Sequence, residues 1–355
     1  MCSSDLADAL EHTEILEQRR DDLPITGALG DLREHLDEPA PAGRFGRQDV
    51  AHPGAGLELG HERQGYRRRL RGTGTVSMSH PSGTVIHGGG AMAGYDIIGD
   101  VHGHADKLEA LLRAMGYRHT DGAWRHPSRT AVFVGDLIDR GAQQLETIDI
   151  ARRMRDAGSA EIVLGNHEFN AVAWATTDPA DRRRRLRSHK KKNRDQHKAF
   201  LKEVRGNPDR HDELIKWFKT IPLWLDLEGL RVIHACWHQE SMDAIEGLLN
   251  EGCLTDELVI AGSRRGSAEY NAIEILLKGP EIQLPDPHHY IDKGGVRRTK
   301  ARQRWWDPDA RTYATAAHIP KGSLTDAGLP MPPLPDDTVT ETDLPIYADQ
   351  VPLMV

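Results

Sequence analysis

The sequence predicts an α/β fold, and two observations carry that expectation. From Tyr95 onward, short apolar runs alternate with stretches of helical spacing, the pattern of strands layered with helices. In addition, glycine-flanked polar motifs follow the strand candidates directly, which places them at the strand ends where α/β folds form crevices.

Tyr95-Asp-Ile-Ile98 is the first strand candidate, and Gly99 ends it. Ala105 to Met115 carries Leu108, Leu111 and Leu112 at helical spacing and stops at Gly116. Ala131-Val-Phe-Val134 is a compact apolar run suited to a strand buried on both faces. Gln143 to Ala157 is a second helix with Leu145, Ile148 and Met154 on one side, and Glu161-Ile-Val-Leu164 is a third strand. Later, Leu230-Arg-Val-Ile233 reads as another strand, entered through Leu223-Trp-Leu225. Val351 to Val355 is apolar, as at the beginning of a strand.

The flanking regions read differently. Residues 1–91 hold 14 of the 34 glycines and no sustained apolar period, so apart from a short helix over Leu6–Gln18 they have too little to bury to offset ordering entropy. They are expected to be a disordered or non-native extension, since Met92 stands just before the first strand. Residues 92–355 are expected to form the folded domain. A basic helical insertion is expected at about 175–220, where Asp181 to Arg205 carries 12 Lys or Arg against three Asp or Glu. A solvated helical face explains such a block; a surface attracting phosphorylated or polyanionic substrate is the functional alternative.

Bulk composition excludes several classes. With charged residues at 28%, hydrophobic residues at 38% and a formal charge of −8, the field of the whole molecule does not favour nucleic acid. No stretch reaches the about 18 apolar residues of a membrane span. Cys2, Cys236 and Cys253 match no zinc or disulfide spacing, so a reducing, cytoplasmic location is expected.

The chemistry lies in Gly99-Asp-Val-His-Gly103, Gly135-Asp-Leu-Ile-Asp-Arg-Gly141, Gly165-Asn-His-Glu168 and His234-Ala-Cys236. Asp100, His102, Asp136, Asn166 and His234 would converge on one edge of the sheet. Carboxylate oxygen and imidazole nitrogen suit manganese, iron or zinc, and a carboxylate can bridge two cations. Any one of these motifs is more often structural. Asn166 alone could cap the next helix, Glu168 reads as a support, Cys236 as core, and Trp174, Trp217, Trp224 and Trp237 as core before pocket. Four in order, each at a strand end, form a specific signal.

GDVHG, GDLIDRG and GNHE, with Asp100 and Asp136 separated by 36 residues and Asp136 and Asn166 by 30, resemble the phosphoprotein phosphatase branch of the calcineurin-like metallophosphoesterases. That branch includes Ser/Thr phosphatases and bacterial diadenosine tetraphosphatases. The resemblance covers residues 92 to about 240. It implies a sandwich of mixed β-sheets flanked by helices and two divalent cations, manganese first, with iron or zinc as alternatives. Asp100, His102 and Asp136 would hold one cation, and Asp136, Asn166 and His234 the other. Water activated between them would attack phosphorus. His167 would protonate the leaving oxygen, Asp139 would orient His167, and Arg140 would grip phosphate. The substrate would be a phosphomonoester or phosphoanhydride in a phosphoprotein, nucleotide or dinucleoside polyphosphate.

One departure stands out. The family's further metal-binding histidine on a late strand has no counterpart after His234. His238, His288, His289 and His318 lack its context, and Val351–Val355 resembles the strand that leads into it, so the C-terminal end is expected to be incomplete. The competing expectation is therefore a catalytically impaired relative that binds phosphorylated ligands. Retention of His167, Asp139 and Arg140 argues against it. A nucleic-acid binder built on Arg182–Arg205 would need interleaved aromatics for stacking, and none lies between Trp174 and Phe200.

Overall fold

The structure, a computed structural model, describes residues 94–292, 295–339, 347 and 351–355. The expectations for residues 1–91 and for the Leu6–Gln18 helix lie outside the described residues.

The first described strand, β1 (Gly94–Ile98), leads through α1 (Ala105–Ala114) and a hairpin of β2 (Arg118–Thr120) and β3 (Ala123–Arg125) into β4 (Arg129–Phe133). Then α2 (Gln144–Asp156), β5 (Ala160–Ile162) and α3 (Asn166–Ala175) follow. β1, β4 and β5 form a parallel sheet in the order β1-β4-β5, with α1 and α2 in the crossovers that parallel neighbours require. β5 ends earlier than the apolar run Glu161–Leu164 implies, because the Leu164 N–H leaves the ladder and donates to Pro222 O at 2.8 Å.

A second sheet pairs β6 (Trp224–Leu227) antiparallel with β7 (Leu230–Ile233), and Leu353–Met354 parallel to β7. The strand expected at Val351–Val355 therefore lies beside the strand that carries His234. Period-two alternation divides the sheet residues between two apolar layers. Val132, Val134 and Val163 face Leu230 and Val232 of the second sheet, with Ile97, Leu225 and Met354 packed against them. Ala131, Phe133, Ala160 and Ile162 face the helical side, joining Leu108, Leu112, Ile148 and Met154 in the larger core. Two sheets with helices outside them make the expected mixed sandwich.

Within the basic stretch stand α4 (Lys191–Glu203) and α5 (Pro208–Phe218). α4 turns His197 and Phe200 inward while its lysines face solvent. α5 starts with Pro208 after Asn207, whose side chain accepts the Arg210 N–H at 3.0 Å, a side-chain cap on a free helix N–H. Helices α6 (Gln239–Glu246), α7 (Asp256–Ala261) and α8 (Ala268–Lys278) complete the large core. Glu281–Gln283, Lys300–Gln303 and Ala317–His318 form a small sheet over a separate core that includes Ile282, Leu284, Tyr290 and Ala301. Among the described residues, no helix is long and apolar enough to cross a membrane.

Candidate metal centre

Of the three glycine-flanked loops after β1, β4 and β5, the first two are joined by main-chain hydrogen bonds. Val101 and His102 N–H both donate to Asp136 O, at 3.2 and 2.9 Å, Gly103 N–H to Leu137 O at 2.8 Å, and Gly141 N–H returns to His102 O at 2.9 Å. The third loop packs against the second so closely that a Cβ on Gly165 would lie 2.2 Å from Asp136 N and 2.3 Å from Asp136 Oδ1. The opposing Gly135, at φ +102°, has Gly165 Cα 2.6 Å from where its own Cβ would be. Side chains at these two positions would force the loops apart.

Glu168 fastens the second and third loops. Its fully buried carboxylate accepts N–H bonds from Asp136 (3.0 Å), Leu137 (2.8 Å), Ile138 (3.2 Å) and Gly165 (3.1 Å). Burial, then the Asp136 charge, push its pKa up to about 7, while the four amides favour the ionised form. Glu168 is thus the support that its position in the sequence implies.

Asp136 lies at the centre, 3% exposed. Its Oδ1 accepts the His167 N–H at 2.9 Å and its Oδ2 faces the Asn166 amide at 3.1 Å. Asn166 does not cap α3: Gly165 is the N-cap, and the Asn166 side chain is turned to the site. Rotating its amide by 180° exchanges oxygen for nitrogen there. Asp100 also belongs to the cluster, with a side chain 42% exposed. Partial burial works to raise its pKa, but the neighbouring His102 imidazole, then His234 and Arg140, lower it to about 2.

Two imidazoles are pinned in the same way. His102 Nδ1–H donates to Ile138 O at 2.8 Å and His234 Nδ1–H to Val134 O at 2.6 Å. A backbone acceptor on Nδ1 fixes the tautomer and presents Nε2 as a ligand. His102 Nε2 stands 3.4 Å from Asp100 Oδ2 and 3.7 Å from Asp136 Oδ2, and His234 Nε2 3.5 Å from Asp136 Oδ1. His102 Nε2 is buried and has no hydrogen-bond partner. A nitrogen lone pair facing two carboxylates is repulsive until a cation lies between them, so this donor set fits divalent metal. Burial works against charging His234, but the Asp136 and Asp100 carboxylates outweigh it and raise its pKa.

His167 is held by its other ring nitrogen. Its Nδ1 lies 2.6 Å from Asp139 Oδ2, with Nε2 3.8 Å from Asp136 Oδ2. Burial opposes its protonation, yet the Asp139 hydrogen bond and the Asp136 charge raise its pKa. Donor atoms of His102, Asp136 and His167 lie within 4.8 Å of one another, so metal ligation is the alternative to proton transfer for His167. Arg140 is exposed beside the cluster. His102, Asp136, Asp139 and Arg140 all adopt positive φ, at 48°, 49°, 71° and 66°.

The structure therefore brings together all eight residues singled out in the sequence. The other candidate histidines have partners elsewhere: His238 with Ser241, His288 with Pro285, His289 with Asp326, and His318 against Trp306. Among the described residues, the histidines in ion-pair range of Asp136 are His102, His167 and His234. Cys236 is fully buried, Trp174 and Trp217 are 7% exposed, and Trp224 and Trp237 pack against the large core. Two residues near the site have no cue in a motif. His197, on α4, reaches Asp139 Oδ1 at 2.8 Å. Arg187 donates to Asn170 Oδ1 at 2.6 Å, one turn along α3 from Asn166. The helical spacing of His197, Phe200 and Val204 is the one sequence signal that could have drawn attention inward.

The family profile for calcineurin-like phosphoesterase matches residues 95–318. A symmetrical bis(5'-nucleosyl)-tetraphosphatase of Vibrio cholerae is 32% identical over 253 residues, covering 67% of this chain and 77% of that protein. The asymmetrical bis(5'-nucleosyl)-tetraphosphatase PrpE of Halalkalibacterium halodurans is 46% identical over 74 residues, covering 21% of this chain and 30% of that protein. This chain spans between 30% and 54% of the length of the first curated relatives that it matches. Among solved structures, a serine/threonine phosphatase from Saccharomyces cerevisiae aligns at TM-score 0.29 and 20% identity over 40% of this chain and 37% of that one. With the family profile spanning the three-motif centre and most of the fold, the chain belongs to the calcineurin-like phosphoesterase family.

Proposed function

We propose that this chain is a metal-dependent phosphoesterase that hydrolyses a phosphoanhydride or phosphomonoester of the nucleotide type. The observation that carries this is the unpartnered, buried Nε2 of His102 held against the Asp100 and Asp136 carboxylates. Asp100, His102 and Asp136 would hold one divalent cation, and Asp136, Asn166 and His234 a second. When bound, such cations supply Lewis acidity, activating water and neutralising charge at phosphorus.

The chain's own residues do the rest. Arg140 offers a planar fork of donors to the phosphoryl oxygens. The Asp139 carboxylate fixes His167 through Nδ1, so Nε2 can carry a proton to the departing oxygen. Glu168 and the paired glycines keep these groups in register by tying the loops together. The substrate class rests on the tetraphosphatase names of the relatives; manganese and a cytoplasmic location accord with the donor set and the cysteine usage.

The test is hydrolysis of diadenosine tetraphosphate and of phenyl phosphate before and after exhaustive chelation, with manganese added back. Loss on chelation and recovery with manganese is expected; turnover indifferent to chelation would end the proposal. His167→Ala is expected to cut turnover by about 10²–10⁴-fold with metal content retained, whereas Asp136→Asn loses both. Loss of metal in His167→Ala would make His167 a ligand instead.

A further inference from the structure

The basic stretch has an inward face that its charge conceals. On α4, His197 is 4% exposed and sits between Phe200, stacked at 5.1 Å, and Trp174, edge-on at 5.8 Å. Its Nδ1 lies 2.8 Å from Asp139 Oδ1, while His167 Nδ1 lies 2.6 Å from Asp139 Oδ2. Asp139 is 2% exposed. Burial works to raise its pKa, but the hydrogen bonds from His167 and His197 lower it below the usual carboxylate range, so it is ionised. An ionised carboxylate only accepts, so both rings donate Nδ1–H to it, one to each oxygen.

The same helix is fastened at its other end. Glu203 accepts the N–H groups of Gln144 and Leu145, at 2.8 and 2.9 Å, at the start of α2. The Gln144 side chain in turn accepts the Asp139 N–H at 2.6 Å and donates to Gly141 O at 2.7 Å. α4 therefore grips Asp139 twice: through His197 on its side chain, and through Glu203 and Gln144 on its backbone. Asp139 itself stands at φ 71°, a conformation its own backbone does not favour. With one oxygen released, its carboxylate would be free to turn about χ2.

We propose that His197 is a positioning residue for the Asp139–His167 pair, and that α4 delivers it. His197 does not reach the reacting atoms. By occupying the second oxygen of Asp139 it fixes the plane of the carboxylate, and through it the direction of His167 Nε2. The inference rests on His167 being the proton donor.

His197→Leu keeps apolar volume and removes the donor; His197→Asn restores an N–H near the position of Nδ1. Turnover is compared on phenyl phosphate, whose leaving oxygen needs a proton, and on p-nitrophenyl phosphate, which departs with less help. His197→Leu is expected to lose about 10- to 100-fold on phenyl phosphate and much less on p-nitrophenyl phosphate. His197→Asn should recover most of the loss. In parallel, the low-field Nδ1 proton of His167, read by NMR on imidazole-labelled protein, should broaden or vanish in His197→Leu and return in His197→Asn. That readout decides the matter if turnover is too low to measure.

His167→Ala separates the two levels. If it shows no leaving-group dependence, the assignment of the proton donor fails. If it shows one and His197→Leu lowers both substrates equally, or His197→Asn fares no better than His197→Leu, the positioning role is overturned. A His167 Nδ1 signal unchanged in His197→Leu overturns it as well.

Discussion

Replacing Glu168 by glutamine removes half of the clasp that joins two motif loops. Oε2 holds the N–H groups of Asp136 and Gly165, and Oε1 those of Leu137 and Ile138. A glutamine has one oxygen, so its NH2 must face one pair of N–H donors. Two bonds to a charged acceptor are lost and two buried donors are left opposite a third. Hydrogen bonds to charged groups contribute about 1.5–3 kcal/mol each, so a net loss of about 3 kcal/mol is reasonable after local relaxation. For a folded unit of this size, 1 kcal/mol moves the melting temperature by about 2–4 °C, which gives a fall of about 6–12 °C. Thermal melts at pH 8, where the carboxylate is ionised, together with metal analysis, check this. Because Asp136 moves with its loop, bound metal should fall as well. A melting temperature within about 2 °C of wild type, with metal content unchanged, would refute the clasp.

Gly165→Ala should be worse than its size suggests, since the new methyl would meet Asp136 N at 2.2 Å. Overpacking costs about 1–3 kcal/mol, and metal titration should show weakened binding even where the melt survives. At the surface, Glu213 links Arg152 (2.5 Å) and Arg210 (2.7 Å), and Arg210 reaches Asp149. The hydrogen bonds from Arg152 and then Arg210 hold the Glu213 pKa below its ordinary value. Its contribution is therefore present above about pH 4.5 and lost as pH falls through the folded value. Glu213→Gln should flatten the acid limb of the stability curve by less than about 1 kcal/mol, as exposed pairs do; an unchanged limb would show the network to be inert.

The strand–helix alternation from Tyr95 and the loop motifs were legible because each is local: a period, or a glycine followed by two or three polar residues within five positions. The eight candidate residues that the structure gathers came with them. His197 was not legible, since 58 residues separate it from Asp139 and it stands within a stretch dominated by lysines and arginines. Its helix looks like a solvated face from composition, and apart from the buried His197 and Phe200 its residues are exposed or half-buried. The Glu203 contact with the N-terminus of α2 was hidden for the same reason: a cap supplied by a distant helix leaves no trace at the capped end. The pairing of Leu353–Met354 with β7 was legible as a strand but not as a neighbour of β7, because period alone does not choose partners.

Asp136 and three of the residues gathered around it, His102, Asp139 and Arg140, hold left-handed backbone. A non-glycine residue pays about 1–2 kcal/mol there, and the side chains proposed to hold metal, orient the proton donor and grip phosphate are the ones that preclude relief by glycine. Thermal selection and catalytic selection therefore pull in opposite directions at these positions. A screen of random variants for heat resistance alone should enrich Arg140→Gly, and the winners should be hardier proteins with poorer turnover. Lineages of this fold that drifted away from catalysis would be expected to shed these residues first, leaving the strands and glycines behind.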